Sequence, residues 1–266
     1  MKIMCLNGWG GALHAKIIAY LGAAQPDVLC LQEVIHSPTT DRDWLTYRDG
    51  DHVLPQRANF FREVAEALPG HAAIFCPAAQ GPLWDGDVPI PSLWGLATFV
   101  RHAIPLIGQA QGFVFGEFTA DGFGAHPRAR NAHGVRLHDA ATGANVCITQ
   151  MHGLRHPNGK SDTPERAAQA RRLLEYANQL SRPGDIRIIC GDFNVARESA
   201  TLEYLRRHGF TELVTERGFG GTRSSHYPKP ERFADYMLID RPEVVHRFEV
   251  VNAPEVSDHC PLILEI

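Results

Sequence analysis

Acidic, amide and imidazole side chains recur in this sequence where apolar runs stop. The run Ile186-Arg187-Ile188-Ile189-Cys190 leads into Gly191-Asp192-Phe193-Asn194. Side chains alternate along extended backbone, so a carboxylate and an amide two residues apart project to the same side. That pairing suits one job: Asp192 handles the proton of a water, and Asn194 donates a hydrogen bond that fixes the Asp or the reacting oxygen. A second acidic signature, Ser257-Asp258-His259, lies further along, and the two together point to metal-dependent hydrolysis of a phosphoester.

Asn7, Glu33, His152 and Asp235 also fall at the ends of strand-like runs, the placement a shared pocket needs. Glu33 ends Val28-Leu29-Cys30-Leu31-Gln32. A carboxylate at the mouth of a buried strand must be solvated, paired or bound to metal, because stripping its water is costly. Mg²⁺ is held through one or two carboxylates and keeps several waters, so Glu33, Asp258 and the neutral oxygen of Asn7 would suffice. A carboxylate that orients a His fixes its tautomer and favours the imidazolium that a phosphorane-like transition state wants nearby, and Asp235 is the natural partner for His259. Singly, each of these residues has an ordinary reading: a solvated acid after a strand, or one of 14 histidines. Their joint order along the chain selects the functional reading.

With 266 residues the chain can bury a substantial core, and the absence of any linker-like stretch leads to one domain over residues 1–266. Lys and Arg number 26 against 30 Asp and Glu, a formal charge of -4. That lacks the basic excess of a protein built to grip long nucleic acid, although a bound divalent cation can supply a local positive field. Cys5, Cys30, Cys147 and Cys190 lie inside apolar runs, which reads as buried free thiols, and no CxxC pair suggests structural zinc. There is neither a signal-peptide pattern nor a membrane-spanning run, so a cytoplasmic, monomeric protein is the expectation.

Periodicity supplies the elements that would position these groups. Strands are expected at Lys2 to Asn7, Val28 to Leu31, His71 to Cys76, Gly95 to Arg101 and Gly112 to Phe118. A hairpin through Thr142-Gly143 joins Val135–His138 to Val146–Thr149, and later strands lie at Ile186 to Cys190 and near Phe233 to Ile239, Val244 to Val251 and Pro261 to Ile266. Helical spacing marks Leu13 to Leu21, stopped by Gly22 and Pro26, then Phe60 to Leu68 and the stretch near Thr201 to Arg207. Another helix has Thr163 as N-cap and Pro164 in its first position. Between Pro77 and Trp94 the prolines and glycines read as a long loop that either shapes a substrate site or decorates the surface. Arg155 and Arg166, just past His152, could bind phosphate, but an Arg in a helix's first turn reads first as a solvated charge. Mostly antiparallel strands with interspersed helices fit two packed sheets covered by helices.

Leu6-Asn7, Leu31-Gln32-Glu33, His152-Gly153, Gly191-Asp192-Phe193-Asn194, Asp235-Tyr236 and Ser257-Asp258-His259 span nearly the whole sequence in this order. On these motifs the sequence resembles the endonuclease/exonuclease/phosphatase superfamily, the fold of DNase I-like nucleases, inositol polyphosphate 5-phosphatases and neutral sphingomyelinases. The resemblance implies a four-layer α/β sandwich, two mostly antiparallel sheets face to face with outer helices, and an active site at one edge. It implies Mg²⁺, with Mn²⁺ as a substitute, on Glu33 with support from Asn7 and Asp258. Asp192 and Asn194 would orient or deprotonate the attacking water, His259 held by Asp235 would be the second candidate base or a phosphoryl stabiliser, and His152 would contact the phosphate. Where many nucleases of the family carry a Tyr or Glu, this chain has Trp94 and Leu96, which speaks against the abasic-endonuclease subtype.

The leading expectation is therefore a phosphodiesterase or phosphatase acting on a small molecule or lipid headgroup rather than nucleic acid. A DNA or RNA nuclease of the same fold is the nearest alternative, and a groove with Arg128, Arg130, Arg223 and Lys229 beside the site would favour it. A catalytically inactive binding protein is the alternative from another class; it would have lost one of Glu33, Asp192, Asp258 or His259, and all are present.

Overall fold

Alternating apolar residues build two sheets in the structure, a computed structural model that describes residues 1–156 and 159–266. The first half of the chain supplies β1 (Lys2–Asn7), α1 (His14–Ala24), β2 (Val28–His36), β3 (Trp44–Asp49), β4 (His52–Arg57), α2 (Phe60–Ala67), β5 (His71–Asp85) and β6 (Val88–Arg101). The second half supplies β7 (Leu106–Phe115), β8 (Arg130–Asp139), β9 (Ala144–His152), α3 (Pro164–Leu180), β10 (Ile186–Asp192), α4 (Ala200–Arg207), β11 (Thr211–Glu212), α5 (Leu213–Glu216), β12 (Asp235–Ile239), β13 (Arg247–Val250) and β14 (Leu262–Glu265). An eight-stranded sheet runs β13-β14-β1-β2-β6-β5-β3-β4, and a six-stranded sheet runs β11-β12-β10-β9-β8-β7. The pairs β1–β2 and β9–β10 are parallel, and the other pairings of named strands are antiparallel.

The layering follows from strands that are apolar on both faces. In β1 and β2, Ile3, Cys5, Val28 and Cys30 join the core shared with Ile148, Ile188 and Cys190 of the other sheet. The alternate residues Met4, Leu6, Leu29 and Leu31 face away and pack with Ile17 and Leu21 of α1 and Phe60 and Val64 of α2. On the far side, Leu173, Leu174 and Ala177 of α3 and Leu202 and Leu205 of α4 cover the six-stranded sheet. Each such side chain taken out of water contributes about 1.5–3 kcal/mol. The result is the four-layer α/β sandwich expected from the motifs. All six cysteines are buried and free, as expected. Among the described residues no helix is long and apolar enough to cross a membrane.

Two expectations need correction, and one hairpin lies where the sequence reading placed no element. Residues 77–94 are not a loop: β5 and β6 form a long hairpin through them, with Pro82 opposite Pro91. Neither proline has an N–H, so facing each other on a rung without ladder hydrogen bonds costs the sheet nothing. The hairpin of β3 and β4, turning at Gly50-Asp51 with Gly50 at φ 56, went unread. Helix α1 also runs through Gly22 and ends at Gln25, whose φ is 43. By contrast, the Thr163 cap, accepting from the Arg166 N–H, and Pro164 at the first position of α3 stand as expected.

Candidate active site

Register places three of the reactive groups in one row. His152 at the end of β9, Asp192 at the end of β10 and Asp235 at the start of β12 are cross-strand neighbours. Gly191, just before Asp192, has φ 143, and a Cβ there would sit 2.0 Å from the Met151 carbonyl oxygen. Any side chain would therefore push β10 from β9 and move Asp192 with it.

The facing sheet brings Asn7 and Glu33. Asn7 reaches across and donates from Nδ2 to Asp192 Oδ2 at 3.1 Å, while its Oδ1 accepts the Trp9 N–H at 3.0 Å. Glu33 does not end its strand; β2 continues to His36, with Gln32 and Glu33 bulging opposite the single residue Leu96 of β6. The bulge sets Glu33 at φ 55, a left-handed conformation that a bulky residue adopts at a cost of about 1–2 kcal/mol. A second bulge on β5 at Ala78 flanks the same point of β6, where Gly95 has no room for a Cβ, 2.2 Å from the Cys76 carbonyl oxygen. Together the two bulges turn Glu33 and Trp94 toward the cleft. Burial raises the Glu33 carboxyl, and Asp258 and Asp192 add to this against a smaller lowering by His259 and Asn7.

Asp192 is 1% exposed. Burial pushes its carboxyl up, but His259, His152, Arg223 and Lys160 outweigh this and hold it well below the usual carboxylate range. The Asn194 backbone N–H donates to its Oδ1 at 3.0 Å, and Asn194 itself sits at φ 53, bending the chain back over the carboxylate. His259 Nδ1 lies 2.9 and 2.8 Å from the two oxygens of Asp235, the pairing read from the sequence. Burial lowers the imidazole, but Asp235, Asp258 and Asp192 prevail over Arg223 and raise it. Asp258 accepts from Arg223 Nη1 at 2.8 Å, and the same nitrogen contacts His259 Nε2.

His152 Nε2 stands 3.6 Å from Asp192 Oδ2 and 3.8 Å from Glu33 Oε1. Burial and the nearby Arg130 hold it down at about 3, so it is the neutral imidazole. Its ring packs on Trp94 at 5.3 Å, and the Arg130 guanidinium covers Trp94 at 4.9 Å. Arg130 is 5% exposed and donates from Nε to the Gly153 carbonyl at 2.9 Å; burial lowers it to about 10 against the pull of Glu33 and Asp192.

The structure thus gathers all eight residues singled out in the sequence and sets beside them Trp94 and, of the basic residues named for a nucleic-acid groove, Arg130 and Arg223. Those three carry no motif of their own, because each arrives through long-range packing. Arg166 corrects an expectation: it is buried at 1% and donates to the carbonyls of Leu154, Gly159, Ser161 and Asn194, so it braces the loops behind the site rather than meeting solvent. The cluster lines a cleft of about 900 Å³ that includes Arg128, Arg130, Arg223 and Lys229, the four residues expected beside a nucleic-acid groove. Arg128 is tied to Asp49 at 3.1 Å and Arg223 to Asp258, which leaves Lys229 as the exposed cation of the four.

One ligand atom each from Glu33, His152 and Asp192 falls within a 4.8 Å cluster, and Asp192, Asp235 and His259 form a second. The oxygen-rich donors and the raised Glu33 carboxyl fit a hard divalent cation, which would relieve the repulsion between the carboxylates. Asn7 Oδ1 keeps a second lone pair beyond the Trp9 contact, and Asp258 would share its charge with Arg223.

Two helix-covered sheets meeting at an edge lined by carboxylates, imidazoles and amides define a DNase I-like α/β sandwich. Residues 4–259 match the model of the Endonuclease/Exonuclease/phosphatase family, and the chain belongs to that family, whose members are hydrolases acting on phosphoesters. Solved structures share the fold. A mannosyl-6-phosphatase of Bacteroides thetaiotaomicron VPI-5482 is 16% identical with TM-score 0.70, covering 100% of this chain and 98% of its own. The human Nocturnin catalytic domain with bound sulfate is 18% identical with TM-score 0.64, covering 99% and 92%. A humanized TDP2 of D. rerio is 14% identical with TM-score 0.65, covering 99% and 97%. No curated protein matches the sequence.

Proposed function

We propose that this protein is a Mg²⁺-dependent phosphoesterase, a phosphodiesterase or phosphatase, that attacks its substrate in line with water and acts on a small molecule or lipid headgroup. The observation that carries the reading is the convergence of Glu33, Asp192 and His259 in one cleft, with Asp235 holding His259 from behind. Glu33, with Asn7 and Asp258, would hold the cation. Bound there, Mg²⁺ would offset phosphoryl charge and acidify a water. Asp192, kept ionised, accepts a hydrogen bond from the attacking water, and the Asn194 backbone N–H, rather than its side-chain amide, which donates to the Gly153 carbonyl, fixes that arrangement. His259 Nε2, its ring anchored by Asp235, takes the water's proton or donates to a phosphoryl oxygen. Arg223, whose N–H already points at His259 Nε2, turns to the same oxygen. Neutral His152 donates a hydrogen bond from Nε2, and buried Arg130 lends positive field. Of the four basic residues expected beside a nucleic-acid groove, Arg128 and Arg223 are ion-paired, and the net charge of -4 also favours a small substrate over long nucleic acid.

The test is hydrolysis of bis-p-nitrophenyl phosphate, p-nitrophenyl phosphate, an abasic-site duplex and plasmid DNA in Mg²⁺ and in EDTA. Turnover should require the metal and fall at least ~100-fold in Asp192→Ala. Activity that survives both EDTA and the substitution would sink the proposal, and a preference for either DNA would replace the small-molecule reading with the nuclease one.

A further inference from the structure

We infer that the cleft carries, beside the reacting cluster, a built subsite for an uncharged aromatic or apolar group esterified to the phosphate, so that the substrates are small phosphoesters of such alcohols. This rests on the phosphoesterase reading above and adds the substrate's organic half.

The two ends of the cleft differ in chemistry. Toward Arg155 and Lys229 the lining is exposed and cationic, with no hydrogen-bond or ion-pair partner for either residue among the described ones. Toward the β3–β4 hairpin the floor is the apolar cluster of Ile35, Leu83 and Phe123, with half-buried Leu54, Tyr47 and Trp94 as walls. The charges at that rim are spent on one another. Asp49 accepts from Tyr47 Oη at 2.9 Å, from Arg128 at 3.1 Å and pairs with His126 at 2.8 Å, while the Arg128 guanidinium stacks over Tyr47 and Phe123 at 5.4 and 5.8 Å. These contacts tie β3 to the connection between β7 and β8, so the wall is held in place before anything binds. His52 and Gln56 add polar but uncharged groups to this end, so a wall whose charges are paired attracts a second phosphate less than the Arg155 and Lys229 end does.

Trp94 sets the distance. Its ring centre is 5.3 Å from that of His152, so the apolar surface starts one ring away from the reacting groups. That spacing fits an aryl or alkyl group joined through the ester oxygen without a long polar spacer. A volume of about 900 Å³ is in the range that holds a drug-sized ligand.

Two non-hydrolysable probes separate the halves: 1-naphthylphosphonate and methylphosphonate, titrated calorimetrically into the Mg²⁺-loaded protein. Burying a naphthyl ring should make the first bind about 30-fold tighter. In Leu54→Glu that preference should fall below about threefold, with methylphosphonate affinity and the far-UV circular dichroism unchanged. Leu54 is half-buried on β4, the edge strand of the first sheet, whereas the reacting groups lie on or beside other elements, so this variant tests the subsite alone. Equal affinities in the native protein would overturn the inference, as would a naphthyl preference that survives Leu54→Glu or a duplex DNA that binds tighter than the naphthyl probe. Turnover of the matching naphthyl and methyl p-nitrophenyl phosphodiesters is measured in parallel. A naphthyl preference without any metal-dependent turnover would retain the subsite and refute the phosphoesterase reading.

Discussion

Asp235→Asn removes one charge from a pair in which both partners are buried at 2% exposure and held by contacts of 2.8 and 2.9 Å. Breaking a buried ion pair from one side costs about 3–5 kcal/mol, because the remaining group loses its compensation. The Asn side chain still makes one hydrogen bond to Nδ1, through its oxygen or its NH2, so the lower figure, about 3 kcal/mol, applies. Unfolding entropy near 2.1 cal/mol/K per residue gives about 0.6 kcal/mol/K for 266 residues, and the variant should melt about 5 °C below the native protein. The larger effect is on turnover. With the ring no longer fixed in the tautomer that presents Nε2 to the cleft, kcat should fall ~100- to 10,000-fold while KM stays within about threefold. The assays are calorimetric melting and steady-state hydrolysis of bis-p-nitrophenyl phosphate in Mg²⁺. Unchanged kcat in a variant that melts lower would refute the orienting role of Asp235, leaving a structural ion pair; unchanged melting would refute the energetic argument itself.

Glu33→Gln relieves a carboxylate whose proton affinity is raised by burial, Asp258 and Asp192, so in EDTA the variant should equal or exceed the native protein in melting temperature. In Mg²⁺ the order should reverse, since ligand at about 100 times its Kd adds about 2.7 kcal/mol to the native form alone; equal Mg²⁺ shifts in both proteins would remove Glu33 from the metal site. Asp185, bonded to Arg136 at 2.7 and 3.0 Å, is held down at about 2 chiefly by that contact against the opposing effect of burial. A depressed folded value stabilises above the ordinary carboxylate range and loses that contribution as pH falls, so the stability gap between native protein and Asp185→Asn should be full above about pH 4 and close toward pH 2. A gap that is constant across this window in denaturant titrations would contradict the assignment. Gly191→Ala must move the Met151 carbonyl or β10, and an expected loss of about 2–4 kcal/mol with at least ~100-fold lower kcat is checked by urea unfolding and hydrolysis; near-native values for both would show that the strand gives way freely.

The central strands were legible because burial on both faces leaves a continuous apolar signature. β1 has the bounds expected, and β10 runs only two residues past the expected end, to Asp192 itself. The β3–β4 hairpin was not, although Asp49-Gly50 between Tyr47 and Val53 is a hairpin turn signal; its strands lie at the sheet edge with both faces half-exposed, so alternation fades. Residues 77–94 misled because proline usually interrupts a strand, and only the opposition of Pro82 to Pro91 makes it harmless. In the site, Asn7, Asp192 and Asp235 could be read because they lie at strand ends, and His259 because it stands just before the last strand in an order the motifs preserve. Glu33 was found for an incomplete reason: a bulge, not a strand end, points it inward. Arg130, Arg223 and Trp94 reach the cleft through sheet packing and loop closure, which local patterns do not encode.

The two sheets meet through Asn7 and Asp192 at 3.1 Å and, one layer deeper, through Gln32 and Gln150 at 2.8 Å, where the latter donates on to the Ala97 carbonyl and Thr98 hydroxyl, each at 2.8 Å. Apolar side chains resist separation but tolerate sliding, whereas paired amides accept a single alignment. These contacts therefore act as a vernier between the halves of the molecule. Glu33 rides on one scale and Asp192 on the other, so the tolerance of the chemistry is written into the amide contacts between the sheets.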